Sequence, residues 1–273
     1  MPGLAPWVRV AFGVPWLERL APVYLWFALM TGVFVLFEWL LPAHERKCPY
    51  WQALNFWALY LIVSVIAAKS ASGINGHLAM PPLVDLSAHP ALKLVWVFVF
   101  DFFYYRFHRL QHALPLLWRF HAVHHSITDL SAIGSYHHVS EEFWRLPLVT
   151  IPVALLVSST PGEIVLFSAF LRAWGLFIHS RSAAHLGPLR RVFADNHYHW
   201  VHHSTNPAHW GRNFAAFFPV WDWLFGTQVL PVQGEVSTIT FGLPNPPPPK
   251  SLWQYLSGRL PERLHHASPS TIS

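Results

Sequence analysis

The sequence predicts an all-α fold, an integral membrane helical bundle that carries a histidine-rich helical cap. Three observations predict it. Hydrophobic residues make up 53% of the 273 residues and charged residues only 11%, whereas a soluble domain carries roughly a quarter charged residues. The apolar residues come in long runs rather than in periodic stripes, as expected for helices in lipid. Histidine is unusually abundant, with 19 residues against 18 Lys and Arg together.

Four apolar blocks predict about three membrane spans followed by a helical hairpin. The first block, Pro22–Pro42, reaches the roughly 20 residues that a helix needs to cross a bilayer. The second and third, Ala53–Ala68 and Ala91–Phe107, reach that length when their flanking aromatic residues are counted. The fourth, Leu146–Ile178, is interrupted around Pro161-Gly162, a pair typical of turns. It therefore predicts two helices whose outer ends lie on the same side.

The basic residues predict which side of the membrane holds the histidines. With one crossing for each of the first three blocks, Arg9, Arg19, Lys69 and Lys93 fall on one side, and the other 14 of the 18 basic residues fall on the opposite side. Because cytoplasmic loops carry the excess of Lys and Arg, the second side is predicted to be cytoplasmic, in a bacterial inner membrane or the endoplasmic reticulum. Most of the histidines lie in the same segments.

The composition also predicts how the chain is divided. Residues 1–89 contain the first two apolar blocks and form the N-terminal membrane helices. Residues 90–230 contain the histidine motifs and form a separate domain. Residues 231–273 form a Pro-rich tail with Pro246 to Pro249 in a row, which is typical of a linker and a loosely ordered terminus.

Three short motifs bring eight histidines together. They are His108-x3-His112, His121-x2-His124-His125 and His199-x2-His202-His203. Positions i, i+3 and i+4 of a helix share a face, so each motif can direct two or three imidazoles to one spot. Zinc takes four ligands and iron up to six, so the count of eight predicts two metal ions.

The residue types leave the identity of the metal open, because imidazole suits zinc, copper, iron and nickel. Structural zinc usually includes Cys among its four ligands, whereas Cys48 is the only cysteine. A zinc-dependent membrane metallohydrolase is the main alternative. That class usually carries His-Glu-x-x-His, and His44-Glu45 lacks the second histidine. A metal transporter would hold its ligands within the spans, and these motifs lie just beyond the apolar blocks.

Several further polar residues are candidates for supporting roles. Asp101 precedes His108 by two helical turns and could accept the spare N–H of a ligand imidazole; a pairing with a nearby tyrosine is the alternative. His138 and Glu141 lie near the start of the fourth block, where ionisable residues at a membrane edge are functional candidates. His179 ends the return arm of the hairpin, at the depth of the other motifs.

The remaining histidines give weaker signals. His185 and His197 are either ligands or residues of the membrane interface, whereas His77, His89, His265 and His266 lie in predicted loops or the tail and are predicted to be solvated.

The histidine motifs and their surroundings resemble the fatty acid hydroxylase and sterol desaturase superfamily. The resemblance covers about residues 90–228. It includes Asp101–Tyr105 before the first motif, Leu117–Ser126 around the second and Phe177–Ser180 on the return arm, and it ends with Asn213-Phe214 and Trp221–Thr227. The chain departs from the family pattern at 135–141 and 195–198, near the expected substrate entrance.

This resemblance implies a membrane enzyme with a non-haem di-iron centre that uses O2 to hydroxylate or desaturate a C–H bond of a lipid, fatty acyl or sterol-like substrate. It implies that the eight histidines of the motifs are the iron ligands, with His179 as an additional one. No flavin, haem or ferredoxin module is evident, so the electrons are expected from a separate protein, a reductase with a ferredoxin or cytochrome b5-like donor. No nucleic-acid partner is expected.

Overall fold

A computed structural model describes residues 15–43, 53–64, 66, 83–84, 93–157, 161–232, 234–243 and 248–258. Within these ranges the regular structure is helical. The β-structure that it contains is limited to three isolated bridges, Pro42–Ser182, Val84–Val157 and Ser204–Phe241. The predicted all-α class is therefore confirmed for the described residues.

The helices of the first half agree with the first three apolar blocks. Helix α1 spans Pro15–Leu40, α2 covers 53–64, α3 spans Lys93–Ala113 and α4 spans Pro115–His125. A single residue separates α3 from α4, because the ring of Pro115 cannot continue one helix but fits the first turn of the next. This tight connection brings the first two histidine motifs close together.

The fourth apolar block forms two helical arms, as predicted. The first arm consists of α5 (Ser140–Arg145), a π-helical turn (Leu146–Thr150) and α6 (Ile151–Leu156). The wide turn coincides with prolines at 147 and 152, which supply no N–H to the hydrogen-bond ladder of the helix. The second arm is α7 (Pro161–His179). Three shorter helices follow, α8 (Asn196–His202), α9 (Val220–Leu224) and α10 (Leu252–Ser257).

The packing of these helices positions the histidines. Helix α3 packs on α4, α7 packs on α8, and α1 packs on α7. One apolar cluster joins α1, α2, α4, α7 and α10 through buried residues that include Phe27, Trp57, Val123, Leu176 and Tyr255. Burial of such large side chains stabilises each contact by roughly 1.5–3 kcal/mol per side chain.

A buried carboxylate attaches α1 to the histidine-bearing part of the chain. Glu38 is completely buried, and its Oε1 accepts hydrogen bonds from the backbone N–H groups of Ala132 (2.7 Å) and Arg181 (3.1 Å). Its Oε2 lies 3.7 Å from Nε of Arg181. A buried carboxylate is stable only when such partners compensate for its lost hydration, so this contact fixes the end of α1 against two loops.

The C-terminal segment is more structured than its composition predicts. Ser251 caps α10 by accepting a hydrogen bond from the backbone N–H of Gln254, and Tyr255 is completely buried with its ring stacked on Phe56. The prediction of a loosely ordered linker is therefore wrong for 248–258. Burial of a large aromatic side chain stabilises this segment despite the prolines before it.

The membrane spans stay a prediction. Among the residues that the structure describes, no helix is both long enough and apolar enough to cross a bilayer. The side of the membrane that the histidines face also stays a prediction, as does the division at residues 89 and 230. His77, His89, His265 and His266 lie outside the described residues.

Candidate metal centre

The nine histidines predicted as ligands lie together in two adjacent groups. In each group the nitrogens that could bind an ion all lie within 4.8 Å of one another. The five-histidine group consists of His108, His112, His121, His125 and His202, and the four-histidine group consists of His124, His179, His199 and His203. The groups adjoin where the rings of His125 and His203 stack with centroids 4.4 Å apart.

Helix geometry divides each His-x-x-His-His motif between the two groups. In α4, His121 and His125 belong to the five-histidine group and His124 to the other. At α8 the division is reversed, because the first and third histidines of that motif join the four-histidine group. Positions i and i+4 differ by about 40° around a helix axis, whereas i+3 and i+4 differ by about 100°. Each motif therefore contributes two imidazoles to one group and one to the other.

Backbone carbonyls fix the tautomer of four of these imidazoles. A neutral ring has one N–H, so a ring that donates from Nδ1 leaves Nε2 bare, with its lone pair directed into the group. Such outer hydrogen bonds orient ligand imidazoles in metal sites. The bonds run from Nδ1 of His108 to Phe214 O (2.8 Å), His124 to Tyr136 O (3.2 Å), His179 to Gly175 O (2.6 Å) and His202 to Arg212 O (2.8 Å).

The bare nitrogens face one another at distances that fit donors to a shared cation. Nε2 of His124 lies 3.0 Å from Nε2 of His179, and neither ring has a proton left to share between them. Two lone pairs that face each other repel unless a cation lies against both. Nε2 of His112 is likewise buried without a hydrogen-bond partner. The donor set therefore fits bound metal ions.

The distances between the Nε2 atoms can be compared with those of two nitrogens bound to one ion. Two nitrogens bound at about 2.1 Å to one ion lie roughly 3.0 Å apart when their bonds meet at a right angle, and roughly 3.4 Å apart at the tetrahedral angle. The observed Nε2 pairs are His108–His121 (3.1 Å), His125–His202 (3.0 Å), His124–His179 (3.0 Å), His179–His199 (3.0 Å) and His199–His203 (3.2 Å). These distances fit pairs of nitrogens bound to one ion at about 2.1 Å.

Burial keeps the imidazoles neutral. It lowers the pKa of His179 and of His202 to about 3, with repulsion from neighbouring histidines as a further cause. Burial, followed by mutual repulsion, also lowers the pKa of the other ligand candidates, although the Glu141 carboxylate opposes the shift at His121. A neutral imidazole is the form that binds a metal ion, so the site is ready for cations at neutral pH.

Glu141 lies in the outer position proposed for it from the sequence. Its Oε1 lies 3.1 Å from Nδ1 of His121, and its Oε2 lies 3.2 Å from Nδ1 of His137. Burial acts to raise the pKa of Glu141, but the two histidines outweigh that effect and hold the pKa well below its usual value. An ionised carboxylate at this point holds the proton of His121 on Nδ1 and leaves Nε2 for a metal ion.

Two other supporting candidates make different contacts from those predicted. Asp101 does not reach an imidazole or a tyrosine; its two oxygens accept hydrogen bonds from the backbone N–H groups of Phe217 (3.0 Å) and Phe218 (2.8 Å). His138 contacts Ser140 Oγ (2.7 Å) and the carbonyl of Leu256 (3.3 Å) rather than a ligand candidate. The Asp101 prediction rested on its distance in the sequence from His108, and the His138 prediction on its place at a predicted membrane edge. A loop from elsewhere in the chain supplies the partners of Asp101.

His185 and His197 lie outside both groups. Their rings contact each other with centroids 4.6 Å apart, and His197 also contacts Trp200 at 4.8 Å. The structure therefore does not bring them to the centre.

A buried carboxylate that has no ligand role supports the loop behind the centre. Asp222 is completely buried and accepts hydrogen bonds from Phe214 N (2.8 Å), Ala215 N (2.8 Å), Tyr198 Oη (2.9 Å) and Thr227 Oγ1 (2.6 Å). This loop carries the carbonyls that hold His108 and His202. Its sharp reversal uses Asn213 in the left-handed region, at φ 55°, a conformation that Asn tolerates better than most residues.

Sequence reasoning left the role of His137 open and gave none to Asp222. His137 lies among the ionisable residues near the start of the fourth block, but its spacing does not relate it to the motifs. Asp222 lies within Trp221–Thr227, a stretch that carries the family resemblance, but only the folded loop shows that its carboxylate gathers four donors.

Known proteins resemble this chain over the part that holds the histidines. Residues 93–227 match the family model of fatty acid hydroxylases. Alkylglycerol monooxygenase from Homo sapiens is 28% identical over 146 residues, which cover 54% of this chain and 32% of that protein. The Danio rerio protein of that name is 29% identical over 167 residues, which cover 56% and 33%.

The chain spans about a third of the length of these curated relatives. No solved structure matches it. The family model covers the three histidine motifs, and together with these relatives it supports the fatty acid hydroxylase and sterol desaturase superfamily for this chain.

Proposed function

We propose that this chain is a membrane-bound oxygenase that uses two non-haem iron ions and O2 to hydroxylate or desaturate a C–H bond of a lipid. The observation that carries the proposal is the pair of adjacent histidine groups, whose neutral imidazoles direct bare nitrogens inward. The nine ligands proposed are the nine histidines of the two groups. Family membership supports the O2-dependent oxidoreductase class.

The number of donors supports iron rather than structural zinc. The five-histidine group offers more donors than the four that a structural zinc ion takes, whereas iron takes up to six. An all-nitrogen shell of imidazoles is one that iron accepts. Nine candidate donors also exceed the need of one ion of either metal.

The two irons, when bound, supply the activation of O2 and the oxidation of an unactivated C–H bond. The residues of the chain hold the ligand imidazoles in place and exclude water from the centre. The carbonyls of Phe214 and Arg212 hold two imidazoles of the five-histidine group from behind. Glu141 keeps the proton of His121 on Nδ1, away from the metal side of that ring. Since most of the ligand candidates are buried, bulk water is kept from the centre.

A lipid substrate and a membrane location are supported by two observations. The relatives are named alkylglycerol monooxygenases. That name points to a lipid substrate, and it favours hydroxylation over desaturation as the reaction of this chain. Helix α1 exposes many large apolar side chains, among them Leu25, Leu29, Leu36 and Trp39. A soluble monomer rarely exposes such a continuous apolar surface. We propose that the histidines face the cytoplasm and that a separate electron-transfer protein, such as a ferredoxin or cytochrome b5-like donor, provides the two electrons.

The proposal is tested by metal analysis of the detergent-purified protein, together with an optical spectrum. We expect about two iron ions per chain, no haem absorption, and oxidation of a lipid that requires both O2 and a reductant. The variants His124→Ala and His202→Ala, one in each group, are expected to lose turnover and metal together.

The matched control is His185→Ala, since His185 lies outside both groups and its ring contacts His197 instead. It is expected to retain both ions. Metal analysis that finds stoichiometric zinc, with no replacement by iron and no higher activity when iron is supplied, would contradict the proposal. It would favour a zinc-dependent membrane hydrolase.

A further inference from the structure

His137 contacts the four-histidine group from the outside. Its ring stacks on the ring of His124 with centroids 3.9 Å apart and planes 18° apart. The residue before it, Tyr136, accepts the Nδ1–H of His124 through its carbonyl at 3.2 Å. Two consecutive residues therefore fix one ligand candidate, one by a directional hydrogen bond and the other by the flat face of a ring.

The same side chain reaches the five-histidine group through Glu141. Nδ1 of His137 lies 3.2 Å from Oε2 of Glu141, and the other oxygen of that carboxylate lies 3.1 Å from Nδ1 of His121. Glu141 has a side-chain exposure of 7% and His137 of 16%. A carboxylate held on both oxygens has little freedom to rotate, so the position of His137 constrains the ring of His121.

Helix α10 holds the loop that carries His137. The hydroxyl of Tyr255 donates to the carbonyl of His137 at 2.6 Å, and the carbonyl of Leu256 lies 3.3 Å from Nε2 of the next residue, His138. The ring of Tyr255 is fixed in turn by stacking on Phe56. The backbone of His137 is thus anchored on the side opposite to the metal centre, independently of Glu141.

From these contacts we propose that His137 is a positioning residue that couples the two metal sites. It orients His124 by ring stacking and His121 through Glu141, so one side chain supports a ligand of each ion. This inference rests on the proposed function, because it requires ions in both groups. It adds a residue outside the three histidine motifs and predicts that a single substitution weakens both sites.

Two substitutions separate the two contacts. His137→Phe keeps a flat ring beside His124 but cannot bond to Glu141, so we expect only the ion of the five-histidine group to weaken. His137→Gln keeps a donor for Glu141 but removes the ring, so we expect only the other ion to weaken. His137→Ala removes both contacts, and loss of such outer partners typically lowers metal affinity 10–100-fold.

The experiment measures the ions retained per chain across a series of chelator concentrations, with the visible absorption of Co(II)-loaded protein as a second readout of ligand geometry. We expect both ions to leave His137→Ala at chelator concentrations about 10–100-fold lower than in the parent protein. We also expect a changed Co(II) spectrum. Trp253→Ala, at an exposed position of α10, is expected to give the parent curve. Glu141→Gln is expected to weaken the same ion as His137→Phe, with no further loss in the double variant.

Unchanged retention of both ions in His137→Ala, or weakening of only one, would overturn the coupling. A third ion in the parent protein that His137→Ala loses would also overturn it, because His121, His137 and Glu141 would then be ligands themselves. Where His137→Ala fails to fold, the Phe and Gln variants decide by the same measurements. A parent protein that binds no metal would instead refute the proposed function, and this inference with it.

Discussion

Replacement of Asp222 by Asn is a sharp test of how the centre is held, because this side chain touches no ligand. Oδ1 of Asp222 accepts from Phe214 N and Thr227 Oγ1, and Oδ2 accepts from Ala215 N and Tyr198 Oη. An Asn side chain has the same shape but only one acceptor oxygen. Whichever way it is oriented, one backbone N–H then faces the NH2 group, whereas the hydroxyl on that side can turn to accept a hydrogen bond from it.

The number of hydrogen bonds lost gives the expected magnitude. A hydrogen bond to a charged group contributes about 1.5–3 kcal/mol, and one is lost outright. Burial raises the pKa of Asp222, which means that the carboxylate bears a desolvation cost that Asn does not. That relief places the expected loss in the free energy of unfolding near the lower limit, about 1.5 kcal/mol. For a domain of this size it corresponds to a fall of about 3–6 °C in melting temperature.

The assay is thermal unfolding of detergent-purified Asp222→Asn, together with its metal content. We expect metal to be lost as well, because the loop on Asp222 carries the carbonyls that orient His108 and His202. Glu235→Gln is the control, since Glu235 is partly exposed and contacts His209, which belongs to neither group. A variant that melts within about 2 °C of the parent, with both ions retained, would refute the reasoning.

Three further predictions concern pH, the C-terminal helix and α1. Burial lowers the pKa of His179 and His202 to about 3, whereas the value in the unfolded chain is about 6.5. Below pH 6.5 the unfolded chain therefore binds protons that the folded protein does not, and the folded protein loses stability on acidification. These two residues alone should lower the free energy of unfolding of metal-free protein by about 4 kcal/mol between pH 7.5 and 5, and the other buried ligand candidates add to this loss; equal melting temperatures at both pH values would contradict the prediction. Tyr255→Ala should lower the free energy of unfolding by about 3–5 kcal/mol, whereas Trp253→Ala, at an exposed position, should lower it by under about 0.5 kcal/mol. Similar melting curves for the two variants would show that α10 is not packed on the rest of the protein. Glu38→Ala should lower the free energy of unfolding by about 3–5 kcal/mol, because it leaves buried donors unpaired. Unfolding in denaturant measures this loss.

The parts of the fold that follow local rules could be predicted from the sequence. The apolar blocks gave the helices of the first half and the two arms of the hairpin, since long apolar runs and Pro-Gly breaks act within a short stretch of chain. The number of histidines in the motifs predicts two metal ions. The sequence could not show that each His-x-x-His-His motif is divided between the two histidine groups, because that depends on where the second group lies relative to the helix axis.

The contacts that the sequence did not predict are non-local. Asp101 lies two turns before His108, yet its partners are 116 and 117 residues away in the chain. Tyr255 meets His137 across 118 residues. The one local sign of α10 was Ser251 three residues before Gln254, a spacing typical of a helix start. The Pro-rich composition predicts a loose segment instead, because composition does not show that one aromatic residue, Tyr255, is buried in the core.

The position of the candidate ligands along their helices explains why a centre for two cations can be built almost entirely from neutral side chains. The histidines lie in or just after the last two turns of four helices, α3, α4, α7 and α8, which end at residues 113, 125, 179 and 202. The carbonyl end of a helix carries roughly half a negative charge. Four such ends therefore converge on the two groups and favour cations there. Burying four helix ends costs little when imidazole N–H groups bond to nearby carbonyls, as at Gly175 within α7. The same arrangement predicts that the centre prefers cations even before the carboxylate of Glu141, which contacts both His121 and His137, is counted.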